Sequence, residues 1–122
     1  PGSRHYIHAK DVADGMLFLL QNQNKIDNLP NDYGGAKCPK FNLVGPVEWD
    51  NLMLAQKIAM SQNKELKYKM VDFHSSRPGH DLRYALDGTL MKELGWEPKV
   101  SIDERISQVV NWTLNNDRWL KL

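Results

Sequence analysis

Five consecutive residues, Arg77-Pro78-Gly79-His80-Asp81, set a guanidinium, an imidazole and a carboxylate side by side. A proline disfavours the helical backbone for the residue before it, and a glycine leaves the next position free to turn. Arg77 is therefore held extended beside a tight turn, its side chain aimed rather than free. A planar guanidinium can grip a phosphate through two parallel hydrogen bonds, each charge-assisted contact being worth about 1.5–3 kcal/mol. The same residues also suit a solvated turn, so the pattern alone leaves both readings open.

Other spacings suggest chemistry and fail on context. Tyr6 to Lys10 and Tyr33 to Lys37 have the Tyr-x-x-x-Lys spacing of short-chain dehydrogenases. That pair works when a helix sets both side chains on one face, where the ammonium lowers the phenol pKa. Tyr6 to Lys10 reads as a strand entering a helix, and Gly34-Gly35 argues against a helix in the second copy. On a strand, the three-residue offset of His5 and His8 points them to opposite faces, which argues against a shared metal. Ser75, Ser76, His80 and Asp81 crowd one loop, but no Gly-x-Ser-x-Gly elbow presents a nucleophile. No Gly-x-Gly-x-x-Gly follows a strand, so no dinucleotide-phosphate loop is expected within this chain.

The 122 residues suit one domain of mixed α/β class with no internal repeat. Charged residues make up 25% and nearly balance at a net charge of +1, which argues against a nucleic-acid partner. No apolar run reaches the ~20 residues of a membrane span, and the opening shows no signal-peptide pattern. Cys38 is the only cysteine and cannot form an internal disulfide, in keeping with a cytoplasmic setting. The chain enters an extended apolar segment almost at once, as a piece cut from a longer protein would.

The elements that must position these residues follow from periodicity. Arg4 to His8 reads as a strand, and Asp11 to Asn22 as a helix with Asp11 at its N-terminus, where Val12, Met16, Leu19 and Leu20 recur at helical spacing. Residues Gln23 to Pro39, within a 23–40 segment rich in Asn, Gly and Pro, read as a long loop. Phe41 to Val44 reads as a buried strand ending at Gly45-Pro46, and Glu48 to Gln62 as a helix with Leu52, Ala55, Ile58 and Ala59 inward. Leu66 to Phe73 alternates like a half-exposed strand. Asp87 is placed to cap a short helix that Gly95 ends. Ser101 to Glu104 has the form of a capping box, ahead of a last helix carrying Ile102, Ile106, Val109, Val110 and Leu114. The reading totals short strands and about four helices.

"SRHYIHAKDVADGMLFLL", "FNLVGPVEWDNLMLAQKI" and "RPGHDLRYALDGTLMKELGWEPKVSIDERISQVVNWTL" resemble, in the same order, the C-terminal part of extended short-chain dehydrogenase/reductases acting on nucleotide-sugars. The dTDP-glucose 4,6-dehydratases in particular share the pattern. The resemblance implies the small substrate-binding portion of such an enzyme, without its NAD-binding Rossmann core. By that resemblance Arg4 and Arg77 contact the nucleotide diphosphate, Asn42 helps shape the pocket, and His80 lies at the ribose. Asp11 and Asp87 match recurrent family acids and are assigned to capping. Val44 and Pro46-Val47 depart from the family pattern and leave the nucleotide and the sugar open. NAD belongs to the intact parent and none is expected in this piece. The parent would oxidise the sugar at C4, eliminate water across C5 and C6, and return the hydride to C6. Its Tyr-x-x-x-Lys pair and acid/base carboxylates have no counterpart here, so the piece alone is expected to be inactive. A UDP-sugar epimerase or decarboxylase, or a stand-alone binding module, stays open as an alternative. A nucleotide-sugar partner and a homo-oligomer are expected, the latter because helices parted from a Rossmann sheet would expose apolar faces.

Overall fold

Short segments with strong end signals set the architecture. A computed structural model describes residues 2–30, 39–72 and 83–121. Strand β1 (Ser3–His5) leads into α1 (Ala9–Gln21) and α2 (Gln23–Asp27). Strand β2 (Glu48–Asp50) runs directly into α3 (Asn51–Ser61), and β3 (Arg83–Tyr84) precedes α4 (Thr89–Leu94) and α5 (Ile102–Leu114). A 3-10 turn at Asp117–Trp119 follows. The class is small mixed α/β, with five helices and one three-stranded sheet among the described residues.

The sheet order is β2-β1-β3. Strand β1 pairs antiparallel with β2, matching Arg4 to Trp49 and His5 to Glu48, and parallel with β3, matching Ser3 to Arg83 and Arg4 to Tyr84. Because side chains alternate across a strand, this register sorts them by face. Ser3, His5, Glu48 and Arg83 share one face, and Arg4, Trp49 and Tyr84 share the other.

The helix ends show how the sequence dictates the elements. Asp87 was expected as the N-cap of α4, but Gly88 holds that position without a side-chain cap, and Asp87, one residue earlier, accepts from both the backbone N–H (2.9 Å) and the hydroxyl (2.6 Å) of Thr89. Gly95 ends it in the left-handed region at φ 100°, where a side chain would be strained. Ser101 Oγ accepts from the Glu104 N–H at 3.2 Å, while the Glu104 carboxylate accepts from Gln108 instead of reaching back. Asp50 caps α3 by accepting from the Met53 N–H at 2.7 Å.

Several expectations need correction. Helix α1 starts earlier than expected, with His8 as its cap: His8 Nδ1 accepts from the Lys10 N–H at 2.9 Å. Asp11 lies inside the first turn, 5% exposed, and is gripped by Arg105 of α5 through Nε, at 3.0 and 3.1 Å, and through Nη2. It holds two helices together rather than capping one. Residues Gln23–Asp27, expected in a loop, form α2, whose Lys25 ammonium donates to the Leu94 carbonyl at the end of α4 at 2.8 Å. Phe41 to Val44 and Leu66 to Asp72, expected as strands, carry no regular secondary structure. Glu48–Asp50, expected as the first turn of a helix, is strand β2, so Glu48 answers to neighbouring strands rather than to a helix dipole. Residues 31–38 of the expected loop lie outside the described residues, as does Phe73.

The core lies in two places. Met91 (1% exposed) and Trp96 (4%) are the most buried apolar side chains, and Gly15 of α1 lets the indole approach: a Cβ there would stand 2.9 Å from Trp96 Cζ2 and 2.5 Å from Leu43 Cδ2. The Trp96 indole N–H donates to Asp14 at 2.9 Å, so the buried ring keeps its polar atom satisfied. Ala59, Ile106 and Val110 form the second centre between α3 and α5. Lys57 pins the start of α5 by donating to Asp103 at 2.6 Å.

Candidate anion-binding site

Two recesses flank the sheet, of about 390 and 400 Å³. The first is lined by Arg4, Leu43, Val44, Arg83, Tyr84 and neighbours, the second by Asn42, Gly45, Asp87, Thr89 and neighbours. His5, Val44 and Leu86 border both, so the recesses adjoin.

The Asn42–Gly45 segment is pressed against the chain leaving β1. A Cβ at Gly45 would fall 1.9 Å from the Tyr6 carbonyl oxygen, so only glycine permits this approach. His5 Nδ1 donates to the Gly45 carbonyl at 3.2 Å. Asn42 Nδ2 donates to the Asp87 carbonyl at 2.9 Å, tying this segment to the start of α4. Asn42 thus shapes the second recess by bracing two of its walls.

One carboxylate straps all three strands. Glu48 of β2 accepts from the Ser3 hydroxyl of β1 at 2.6 Å, and from Arg83 of β3 through a fork of 2.6 and 2.7 Å. The Arg83 hydrogen bonds, with Ser3 adding to them, hold the Glu48 carboxyl down at about 2, and the same pair raises the Arg83 guanidinium above its usual value. His5 Nε2 stands 3.9 Å from Glu48. Arg83 therefore spends its donors on the protein.

Arg4 is differently placed. Its guanidinium carbon lies 4.6 Å from the centre of the Tyr84 ring, and Nη1 donates to the Ser3 carbonyl at 3.3 Å. No ion pair joins it to a carboxylate among the described residues, and it lines the first recess. Of the four residues expected to bind substrate, Arg4 and Asn42 line adjoining recesses. Arg77 and His80 lie outside the described residues. The role of Tyr84 and the Glu48–Arg83 strap went unread because register over tens of residues brings them together; alternating polar and aromatic residues at Arg83-Tyr84 were the only local signal.

Among the described residues no group of three or more His, Cys, Asp and Glu could hold a metal ion. Tyr6 donates to Asn51 Oδ1 at 2.6 Å, which gives this phenol a structural task. The turn from β1 to α1, His5-Tyr6-Ile7-His8, contains no glycine and offers no cradle for a dinucleotide pyrophosphate, so this turn does not fit NAD.

Fold and site together define a small mixed α/β unit whose sheet presents an arginine to an open recess. The family model described as GDP-mannose 4,6 dehydratase matches residues 2–109. The chain belongs to that family. It is 36% identical over 117 residues to a dTDP-glucose 4,6-dehydratase of Streptomyces niveus, a match covering 95% of this chain and 31% of the relative. With the dTDP-glucose 4,6-dehydratase of Haemophilus influenzae it shares 36% over 85 residues, covering 67% of this chain and 25% of the relative. With that of Xanthomonas campestris pv. campestris it shares 34% over 89 residues, covering 66% and 25%. The chain thus spans between a quarter and a third of the length of these relatives and matches their C-terminal part. No helix among the described residues is long and apolar enough to cross a membrane.

Proposed function

We propose that this chain is the nucleotide-sugar-binding part of a cytoplasmic, NAD-dependent enzyme that converts dTDP-glucose to dTDP-4-keto-6-deoxyglucose. The observation that carries the reading is Arg4: a guanidinium in an open recess, with no ion pair to a carboxylate among the described residues, in a chain whose relatives bear the name dTDP-glucose 4,6-dehydratase. Arg4 and Arg77 take the diphosphate, Asn42 keeps the recess in shape, and His80 meets the ribose. NAD is held by a part of the parent outside this chain, a reading supported by the glycine-free turn between β1 and α1. The 122 residues alone bind without turning over.

Product analysis of the full-length protein with dTDP-glucose tests the activity. A 4-keto-6-deoxy sugar is expected, and an epimerised or decarboxylated UDP-sugar in its place would overturn the reading. Arg77→Ala is expected to weaken dTDP-glucose binding by about 2–3 kcal/mol, the size of a lost charge-assisted contact. Unchanged affinity would remove Arg77 from the site. Exposed apolar residues on α1, with Met16 at 58% and Leu20 at 76%, support a homo-oligomer of this chain. A monomer in sedimentation of the 122-residue chain at high concentration would refute that.

A further inference from the structure

We propose that Tyr84 is a positioning residue for Arg4, holding the guanidinium by its face so that its edges stay open to a ligand diphosphate. The inference rests on the nucleotide-sugar reading above. A guanidinium has two kinds of surface. Its flat face stacks on an electron-rich ring, whereas all five N–H donors lie in its plane. A carboxylate partner occupies one edge of that plane and neutralises the charge, as Glu48 does by accepting from Arg83 Nε and Nη2 at 2.6 and 2.7 Å. Tyr84 instead engages Arg4 at 4.6 Å from the ring centre, leaving the in-plane donors for an anion apart from the one given to the Ser3 carbonyl.

The placement is built in rather than incidental. Arg4 and Tyr84 are direct partners in the parallel β1–β3 register, and both line the same recess of about 390 Å³. Tyr84 is 48% exposed, so burial alone does not account for an aromatic residue here. The neighbouring Arg83–Glu48 strap fixes β3 and so fixes the ring under Arg4. Two adjacent arginine sites thus divide the work: Arg83 is neutralised to hold the sheet, and Arg4 is oriented by a ring with no carboxylate paired to it among the described residues.

Calorimetric binding of dTDP to the full-length protein tests this. Tyr84→Phe keeps the ring and is expected to stay within about twofold of wild type, while Tyr84→Leu weakens binding about threefold to tenfold. In an Arg4→Ala background, Tyr84→Leu should add no further loss. A full additional loss there would mean that the ring acts without Arg4 and would overturn the proposal. Should Tyr84→Leu fail to fold, pentafluorophenylalanine at position 84 keeps the shape and removes the negative face. Weakened binding is again expected, and wild-type affinity would overturn the proposal. Wild-type protein that binds no dTDP would bring down the nucleotide reading and this inference together. Wild-type binding with a Tyr84→Leu variant of equal affinity would bring down this inference alone.

Discussion

Glu48 carries more structural duty than any other single side chain near the sheet, and its chemistry makes that duty pH-dependent. Its carboxyl sits at about 2 against an ordinary 4.5, because the ionised form accepts from Arg83 and Ser3. A depressed acid stabilises the fold above its unfolded value, and that contribution is lost as pH falls from about 4.5 towards 2. Glu48→Gln is therefore expected to lower the melting temperature at pH 7 and to flatten its decline across that acid window. Melting curves at stepped pH check both effects. His8 works the other way round as a base. Burial, with the Arg105 charge adding to it, lowers its pKa, so the folded chain favours the neutral ring whose Nδ1 caps α1. Its contribution is full above pH 6.5 and falls as the pH drops below it, and an NMR titration of His8 would show a midpoint below the ordinary value. Gly45 is constrained by space alone. Gly45→Ala would drive a methyl into the Tyr6 carbonyl oxygen and is expected to cost at least about 2–3 kcal/mol in denaturant unfolding.

At the scale of elements, what could be read from the sequence depended on whether the cause was local. Helices α4 and α5 were legible because Asp87, Gly95 and Ser101 act within a few residues of themselves. Ser101→Ala should lower stability by about 1 kcal/mol, the usual worth of such a cap, as measured by chemical unfolding. The sheet was hardly legible. Strands of two or three residues are too short to show an alternation, and β2 hides against a helix whose apolar spacing runs on through it. Conversely, Leu66 to Asp72 alternates in the sequence yet belongs to no strand among the described residues, since pairing depends on a distant edge and not on local pattern. Asp11 was misread for the same reason. An acid near a helix start looks like a cap until Arg105, 94 positions away, is seen to hold it. Core packing follows the same division. Met91 is 1% exposed, and Met91→Ala is expected to cost about 2–5 kcal/mol by leaving a cavity in the core.

Across the whole molecule, the described core is modest and the apolar surface generous. A groove of about 450 Å³ runs between α3 and α5, lined by Ile58, Val109, Leu114 and Leu120 among others. Of the candidate site, the sequence pointed to Arg4 and Asn42, and the fold sets them in adjoining recesses. The partners that hold them, Tyr84 and the Asp87 carbonyl, could not be found without the register. That register has a temporal side. Strand β1 meets β2 across 45 positions, Arg4 to Trp49, but meets β3 across 80, Ser3 to Arg83. Closing the longer loop costs about 0.5 kcal/mol more, and β3 offers only two residues of pairing in return. The sheet should thus assemble from the β2 side and admit β3 last. In hydrogen exchange the amides at Arg83 and Tyr84 would open before those of β2. A ligand that engages Arg4 on its Tyr84 platform would slow that exchange, so occupancy of the recess could be followed as the closing of a strand.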